Sequence, residues 1–227
     1  MSELPVDRIC FLPDRNHRGR DYQGAFKPGA DLWQKHHGGI AVRIDITRTK
    51  AQQALDVIEA IERLEPSAEG VGLAFFCHGF ARELQIGISM RRPETFARFV
   101  RAIARLGQRP RIGLYACSTG DNPEGFADAL RDALCAAGAT WCTVVAHTTP
   151  GHAYLNSHKM LFEGGGSPTG GNGGGWFVAP GSALWKRWRA QQGALWMILP
   201  WLSPAEVHMF LEREKTAAAL KAAPDAT

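Results

Sequence analysis

Two apolar segments of strand length each lead into a residue that can do chemistry. The first is the run GLAFFCHGF at Gly72–Phe80, which contains His78 and Gly79, and the second is the run RIGLYACSTG at Arg111–Gly120, which contains Cys117. Short continuous apolar runs are typical of buried strands, and open α/β sheets carry their reactive groups at the carboxyl ends of such strands. An imidazole and a thiol at two strand ends would form a cysteine nucleophile site, since the imidazole can take the thiol proton.

Attack by a thiolate on a carbonyl also needs donors for the oxyanion that forms. Gly79 allows a close approach of the backbone, and its N–H is a candidate donor. The backbone amides after Cys117, where the chain leads toward a predicted helix near Pro123, are further candidates. A single histidine or a single buried cysteine is typical of a structural position, whereas the pair on consecutive core strands favours catalysis.

Alternating strand and helix patterns surround these two segments. The pattern predicts a mostly parallel sheet with helices on both faces, that is, an α/β fold of the three-layer α/β/α sandwich type. Strands are predicted at Arg8–Leu12, Ile40–Ile46, the two key segments and Cys142–Ala146, and helices at Thr49–Leu64, Pro93–Leu106 and from Asn122 to Ala137, with a loop over Pro13–Gly39.

The chain changes character after its core, and three parts are predicted. Residues 1–163 form the core, residues 164–175 (GGGSPTGGNGGG) a glycine-rich loop, and residues 176–227 a tryptophan-rich extension that packs on the core. Glycine runs hold regular structure poorly, so the loop is interpreted as a flexible connection, with a flap over the site or a maturation cleavage site as alternatives.

Composition narrows the class of protein. Among 227 residues, 45% are hydrophobic and 21% are charged, which predicts a globular protein. The net charge is +4, and the basic residues are scattered along the sequence, so no nucleic-acid partner is predicted. The five cysteines form no CxxC pair, which is typical of a reducing compartment. The chain has no apolar run of the roughly 20 residues that cross a membrane, nor a secretory signal at its start. We therefore expect a cytoplasmic protein with no membrane association, while export without a signal stays open.

A strand ending in His-Gly followed by one ending in Ala-Cys resembles the caspase-gingipain superfamily of cysteine peptidases (clan CD), which includes caspases, metacaspases, legumains, clostripains, separases and CHAT domains. The resemblance covers Arg8–Ala146 and implies a caspase-like fold with His78 and Cys117 as the dyad. It implies that Cys117 attacks a peptide carbonyl and that His78 protonates the leaving amine. The N–H groups of Gly79 and Cys117 would bind the oxyanion.

The chain departs from the caspases proper near its cysteine. Their motif reads Gln-Ala-Cys-x-Gly, whereas Tyr115 stands at the glutamine position and Gly120 lies one position late. No Ser-Trp-Arg segment follows the third strand, so a preference for aspartate at the cleaved position is not predicted. Tyr115 is a candidate substrate-binding residue. Arg15 and Arg18 in the first loop are candidates for binding an acidic side chain, as an arginine there does in caspases, or are ordinary solvated arginines.

The segment AHTTPGHAYLNSH, which begins at Ala146, starts at a strand end beside the expected site. On position alone, Thr148 in this segment and Asp121 after the cysteine are candidate pocket residues. The segment holds three histidines, but their spacing fits no familiar ligand pattern, so neither a metal nor a cofactor is predicted.

The predicted function is that of a cysteine endopeptidase acting on a protein or peptide substrate, with an activating partner as a possibility. A catalytically silent or partner-gated caspase-like binding module is the alternative. An α/β-hydrolase esterase is the weaker rival, because its nucleophile elbow needs glycines where Tyr115 and Thr119 flank Cys117.

Overall fold

The computed structural model describes residues 7–15, 26–68, 70–121, 125–150, 159–168 and 175–178. The strands in these ranges are β1 (Arg8–Pro13), β2 (Ile40–Ile44), β3 (Gly72–Phe76), β4 (Gly79–Phe80), β5 (Glu83–Leu84), β6 (Arg111–Tyr115), β7 (Thr143–His147), β8 (Lys159–Glu163) and β9 (Gly175–Val178). The helices are α1 (Lys27–His37), α2 (Lys50–Glu62), α3 (Pro93–Ala104) and α4 (Phe126–Ala136).

The main sheet has the strand order β2-β1-β3-β6-β7-β8-β9, and β4 and β5 form a separate hairpin. The pairs from β2 to β7 are all parallel, whereas β8 pairs antiparallel with both β7 and β9. The prediction of an α/β fold with a mostly parallel sheet is confirmed.

Side chains of β1 alternate between two hydrophobic cores, one on each face of the sheet. Ile9 and Phe11 join a large core that contains residues of α2, α3 and α4. Cys10 and Leu12 join a smaller core that contains Trp33 of α1. Helices therefore flank the sheet on both faces, an arrangement compatible with a three-layer sandwich.

The direction of the connections between strands explains why α1 lies on the face of the sheet opposite to α2, α3 and α4. The connection from β1 to β2 runs toward one edge of the sheet, and every later parallel connection runs toward the other edge. Because crossovers between parallel strands are right-handed, a reversal of direction places the helix on the opposite face. Ligands in open α/β sheets bind beyond the carboxyl ends of the strands near such a reversal.

Local signals account for the predicted helices. α2 begins after a capping box in which Thr49 and Gln52 exchange hydrogen bonds, and α3 begins with Pro93, which has no N–H to lose. Their apolar faces point into the large core, although Leu55 of α2 is 36% exposed.

The predicted loop over Pro13–Gly39 was wrong in its second half, which contains α1. Phe26, Ala30, Trp33 and His37 recur at helical spacing and are all buried. The segment was predicted as a loop because it is polar; its Pro28 lies in the first turn of α1, where proline is tolerated. Burial of Trp33 against the sheet outweighs the weak helix propensity of this segment.

The strands β8 and β9 also went unpredicted. β8 comes directly before the glycine-rich segment, and β9 begins with its last residue, Gly175. The segment thus connects two paired strands of one sheet. Of the tryptophan-rich extension, residues 179–227 lie outside the described residues.

Candidate functional site

The sheet register brings the ends of β3 and β6 to the same level. Phe76 pairs with Tyr115, and His78 and Cys117 each follow two residues later. Neighbouring strands lie about 4.8 Å apart. The predicted histidine and cysteine therefore leave the sheet side by side at its carboxyl edge, and both are partly exposed.

Gly79 packs directly against the turn that carries Cys117. A Cβ atom at Gly79 would lie 2.7 Å from the Ala116 Cβ, 2.7 Å from the Cys117 carbonyl oxygen and 2.8 Å from the Thr119 Cγ2. Real Cβ atoms essentially never approach so closely, so the segment after His78 requires glycine for a steric reason.

The turn after Cys117 is strained and well anchored. Ser118 has φ of 56°, a conformation that non-glycine residues seldom adopt. The Thr119 hydroxyl donates to the Ala116 carbonyl at 2.8 Å, and the Ala127 N–H donates to the Thr119 carbonyl at 2.9 Å. These bonds tie the turn to α4, and strain held in this way is frequent at functional sites.

A second anchor joins this turn to β7. The Gly120 N–H donates to the His147 carbonyl at 2.8 Å, and a Cβ at Gly120 would lie 2.8 Å from the Ala146 carbonyl oxygen. The end of β7 is thereby held beside the cysteine turn, as the sequence led us to expect for the segment that begins there.

His78 is fixed from two sides. The Phe26 ring meets the imidazole edge to face, with ring centroids 5.0 Å apart. On the backbone side, the His78 N–H donates to the Gln85 Oε1 at 3.1 Å, and the Gln85 N–H donates to the His78 carbonyl at 2.9 Å. Neither partner was predicted. Gln85 could have been noticed as a lone polar residue in the apolar run LQIGI.

The cysteines differ sharply in their surroundings. Cys117 is partly exposed, and the other four cysteines of the chain are buried. Cys77 is adjacent to His78 in the sequence, but its thiol is buried, and this burial raises its pKa to about 12. The geometry thus offers one accessible thiol at the strand ends.

Four residues form a row on the α1 face of the sheet, at the level where β3 and β6 end and directly before the site. Phe76 and Tyr115 stack with centroids 4.3 Å apart, the His147 ring meets Tyr115 edge to face at 5.9 Å, and the Lys159 Nζ lies 5.4 Å from the Tyr115 centroid. Burial raises the pKa of Tyr115 and lowers that of Lys159 to about 7.

Tyr115 is therefore part of the floor under the site. It is 2% exposed and belongs to the smaller core. A substrate would reach its side chain only if the surrounding groups moved, and its predicted role in substrate binding stays a prediction.

Three of the remaining candidate residues, Arg15, Asp121 and Thr148, follow the carboxyl ends of strands of the main sheet. Arg15 is exposed after β1 and pairs with Asp14 at 2.8 Å. Asp121 is exposed beyond the cysteine turn. Thr148 follows β7, and its buried hydroxyl has no hydrogen-bond partner among the described residues. Arg18 lies outside the described ranges.

The described ranges contain neither a cluster of metal ligands nor a membrane-spanning helix. In these ranges, no three His, Cys, Asp or Glu side chains lie close enough to hold a metal ion. Two of the three histidines after Ala146, His152 and His158, fall outside them. No helix in the described part of the chain is long and apolar enough to cross a membrane.

Comparison with known proteins adds no relative. No protein-family model, curated protein or solved structure matches this chain.

Proposed function

We propose that the protein is a cysteine endopeptidase with a caspase-like fold, in which His78 and Cys117 form the catalytic dyad. The observation that carries this proposal is the equal register of the two residues at the ends of the paired strands β3 and β6. The accessibility of Cys117 among otherwise buried cysteines supports it.

In the proposed reaction, the Cys117 Sγ attacks the carbonyl carbon of the scissile peptide bond. His78 takes the thiol proton and then gives it to the leaving amine, so the peptide C–N bond breaks and a thioester forms. Water then attacks the thioester, with His78 as the base, and releases the acid product and the free thiol.

The oxyanion of each tetrahedral intermediate needs two donors, and we assign the N–H groups of Gly79 and Cys117. The hairpin geometry supports Gly79. The Gln85 N–H donates to the His78 carbonyl, as in a hydrogen-bonded pair of the ladder, and the His78 N–H donates to the Gln85 Oε1. The Leu84 N–H donates to the Ile88 carbonyl at 2.8 Å instead of to Gly79. In an antiparallel ladder this alternation turns the Gly79 N–H away from β5.

The test is proteolysis of a diverse peptide library, with new termini identified by mass spectrometry. We expect cleavage by the wild type and none by Cys117→Ala, because that variant lacks only the thiol. Cys135→Ala is the matched control: it removes a buried thiol in α4 and should retain cleavage. Cleavage that persists in Cys117→Ala would rule out the assigned nucleophile.

A wild type that cleaves nothing in the library would favour the silent or partner-gated module over an enzyme that acts alone. The intact mass of the protein, measured in the same experiment, reports self-cleavage. A cut within residues 164–175 would assign the glycine-rich segment as a processing site.

A further inference from the structure

Gln85 satisfies both main-chain polar groups of His78. Its Oε1 accepts the His78 N–H at 3.1 Å, and its own N–H donates to the His78 carbonyl at 2.9 Å. The side chain is 8% exposed, so these hydrogen bonds are shielded from water. Buried amides seldom occupy such a position without a structural or functional reason, because burying an unpaired amide is costly.

His78 needs this support because it lies beyond the end of its strand. β3 ends at Phe76, and its last pairing partner is Tyr115. The ladder that holds the strand does not reach the histidine. Gln85 thus supplies, from the hairpin, the two hydrogen bonds that the sheet no longer provides.

Gln85 is itself held against a rigid element. The Lys50 Nζ in the first turn of α2 donates to the Gln85 carbonyl, and also to the Gln53 Oε1 at 3.2 Å. Gly87, in the same turn as Gln85, packs so tightly that a Cβ there would overlap the Lys50 carbonyl oxygen. The support of His78 therefore continues into helix α2.

We propose that Gln85 is a positioning residue for His78, and this inference rests on the dyad of the proposed function. Gln85 acts on the backbone of the general base and forms no hydrogen bond with Cys117. Loss of its Oε1 would free the His78 backbone, and displacement of a catalytic group by about 1 Å can lower a rate about 100-fold.

The main competing explanation is that Gln85 only stabilises its hairpin, and Ser89 provides the matched control. Ser89 lies in the same hairpin, forms a bridge with Glu83 and is 2% exposed. Its Oγ accepts the Arg91 N–H at 3.2 Å, so Ser89→Ala also removes a buried acceptor for a backbone N–H. Ser89 makes no hydrogen bond with His78.

The experiment uses the full chain and measures the rate of Cys117 alkylation by iodoacetamide at pH 7, together with kcat and KM on a cleaved peptide. We expect Gln85→Met to slow alkylation about 10-fold or more and to lower kcat by about 10- to 100-fold, with KM within about twofold. Gln85→Glu, which retains an acceptor oxygen, should stay within about threefold of the wild type, as should Ser89→Ala.

A second variant keeps the proposal testable if Gln85→Met does not fold. Gln85→Asn keeps the amide but withdraws its oxygen by one methylene, so it should reproduce the loss. Wild-type rates in Gln85→Met or Gln85→Asn, or an equal loss in Ser89→Ala, would overturn the positioning role.

His78→Ala separates this proposal from the proposed function. Alkylation that does not respond to His78→Ala would reject the dyad itself. Alkylation that slows in both His78→Ala and Gln85→Met, in a protein that cleaves no peptide, would support the positioning role and count against an endopeptidase that acts alone.

Discussion

The surroundings of each cysteine determine how reactive its thiol is. The buried thiols resist ionisation, because burial disfavours the thiolate: it raises the pKa of Cys10 and of Cys77 to about 12, and it also raises the pKa of Cys135 and Cys142. Protonated and inaccessible thiols react slowly, whereas Cys117 is accessible at the carboxyl edge of the sheet.

We therefore predict that iodoacetamide labels Cys117 selectively in the folded protein. Peptide mapping after brief treatment at neutral pH should find the adduct on Cys117, with the other four cysteines labelled at least about 10-fold more slowly. In urea, all five should react. Equal labelling of Cys77 in the folded protein would contradict the burial on which this prediction depends.

At the scale of elements, the site depends on the close fit between two loops. The segment after β3 and the turn after β6 touch at Gly79, and the second of these is held by α4 and by the end of β7. The reactive residues are thus carried by turns whose geometry comes from the sheet and from α4.

We predict that Gly79→Ala lowers both stability and activity. The added methyl group would meet Ala116, the Cys117 carbonyl and Thr119, which are tightly held, so the free energy of unfolding should fall by about 1–3 kcal/mol. Urea denaturation and the alkylation rate of Cys117 measure the two effects.

Gly72→Ala at the start of the same strand is the control. There the nearest atom is the Arg8 Cγ at 3.3 Å, in a partly exposed side chain and not in the backbone. A change below about 1 kcal/mol is expected. If the two variants behaved alike, the fit at Gly79 would not be what positions the cysteine turn.

At the scale of the whole molecule, one register row crosses the sheet below the site. It consists of Phe76, Tyr115, His147 and Lys159, in which Phe76 pairs with Tyr115 and His147 pairs with Lys159. Lys159 is 1% exposed, and its burial holds the pKa near 7 instead of 10.5. The folded state therefore disfavours the charged amine.

This burial predicts a pH dependence of stability. Between about pH 7 and 10.5 the unfolded chain binds a proton at Lys159 that the folded protein does not, so the free energy of unfolding gains a term that rises with pH. Below about pH 7 both states carry the proton, and this contribution is constant.

The measurement compares the wild type with Lys159→Met by urea denaturation from pH 6 to pH 10. The unfolding free energy of the wild type minus that of the variant should be flat up to about pH 7 and rise above it. Titratable groups that do not contact Lys159, including the buried thiols of Cys77 and Cys135, cancel in this difference. A difference that stays constant across the range would show that Lys159 titrates normally in the folded protein.

Patterns between residues close in the chain were sufficient to predict much of this fold. The runs that end at His78 and Cys117 are continuous and apolar, as buried strands must be, and both are strands. α2 begins where Thr49 and Gln52 form a capping box. Such features depend on interactions within a few residues, which the sequence displays directly.

Other features were decided by contacts between distant parts of the chain. α1 forms where Trp33 can pack against the sheet, although the polar character of Pro13–Gly39 indicated a loop. Tyr115 is part of the floor because strand pairing places it between Phe76 and His147. The sequence alone determined which residues could do chemistry and that each would lie at the carboxyl end of a strand or just beyond it. The tertiary structure decided that the two strands are neighbours in equal register and that Gln85 holds the histidine, because strand order and register arise from long-range packing that no local pattern encodes.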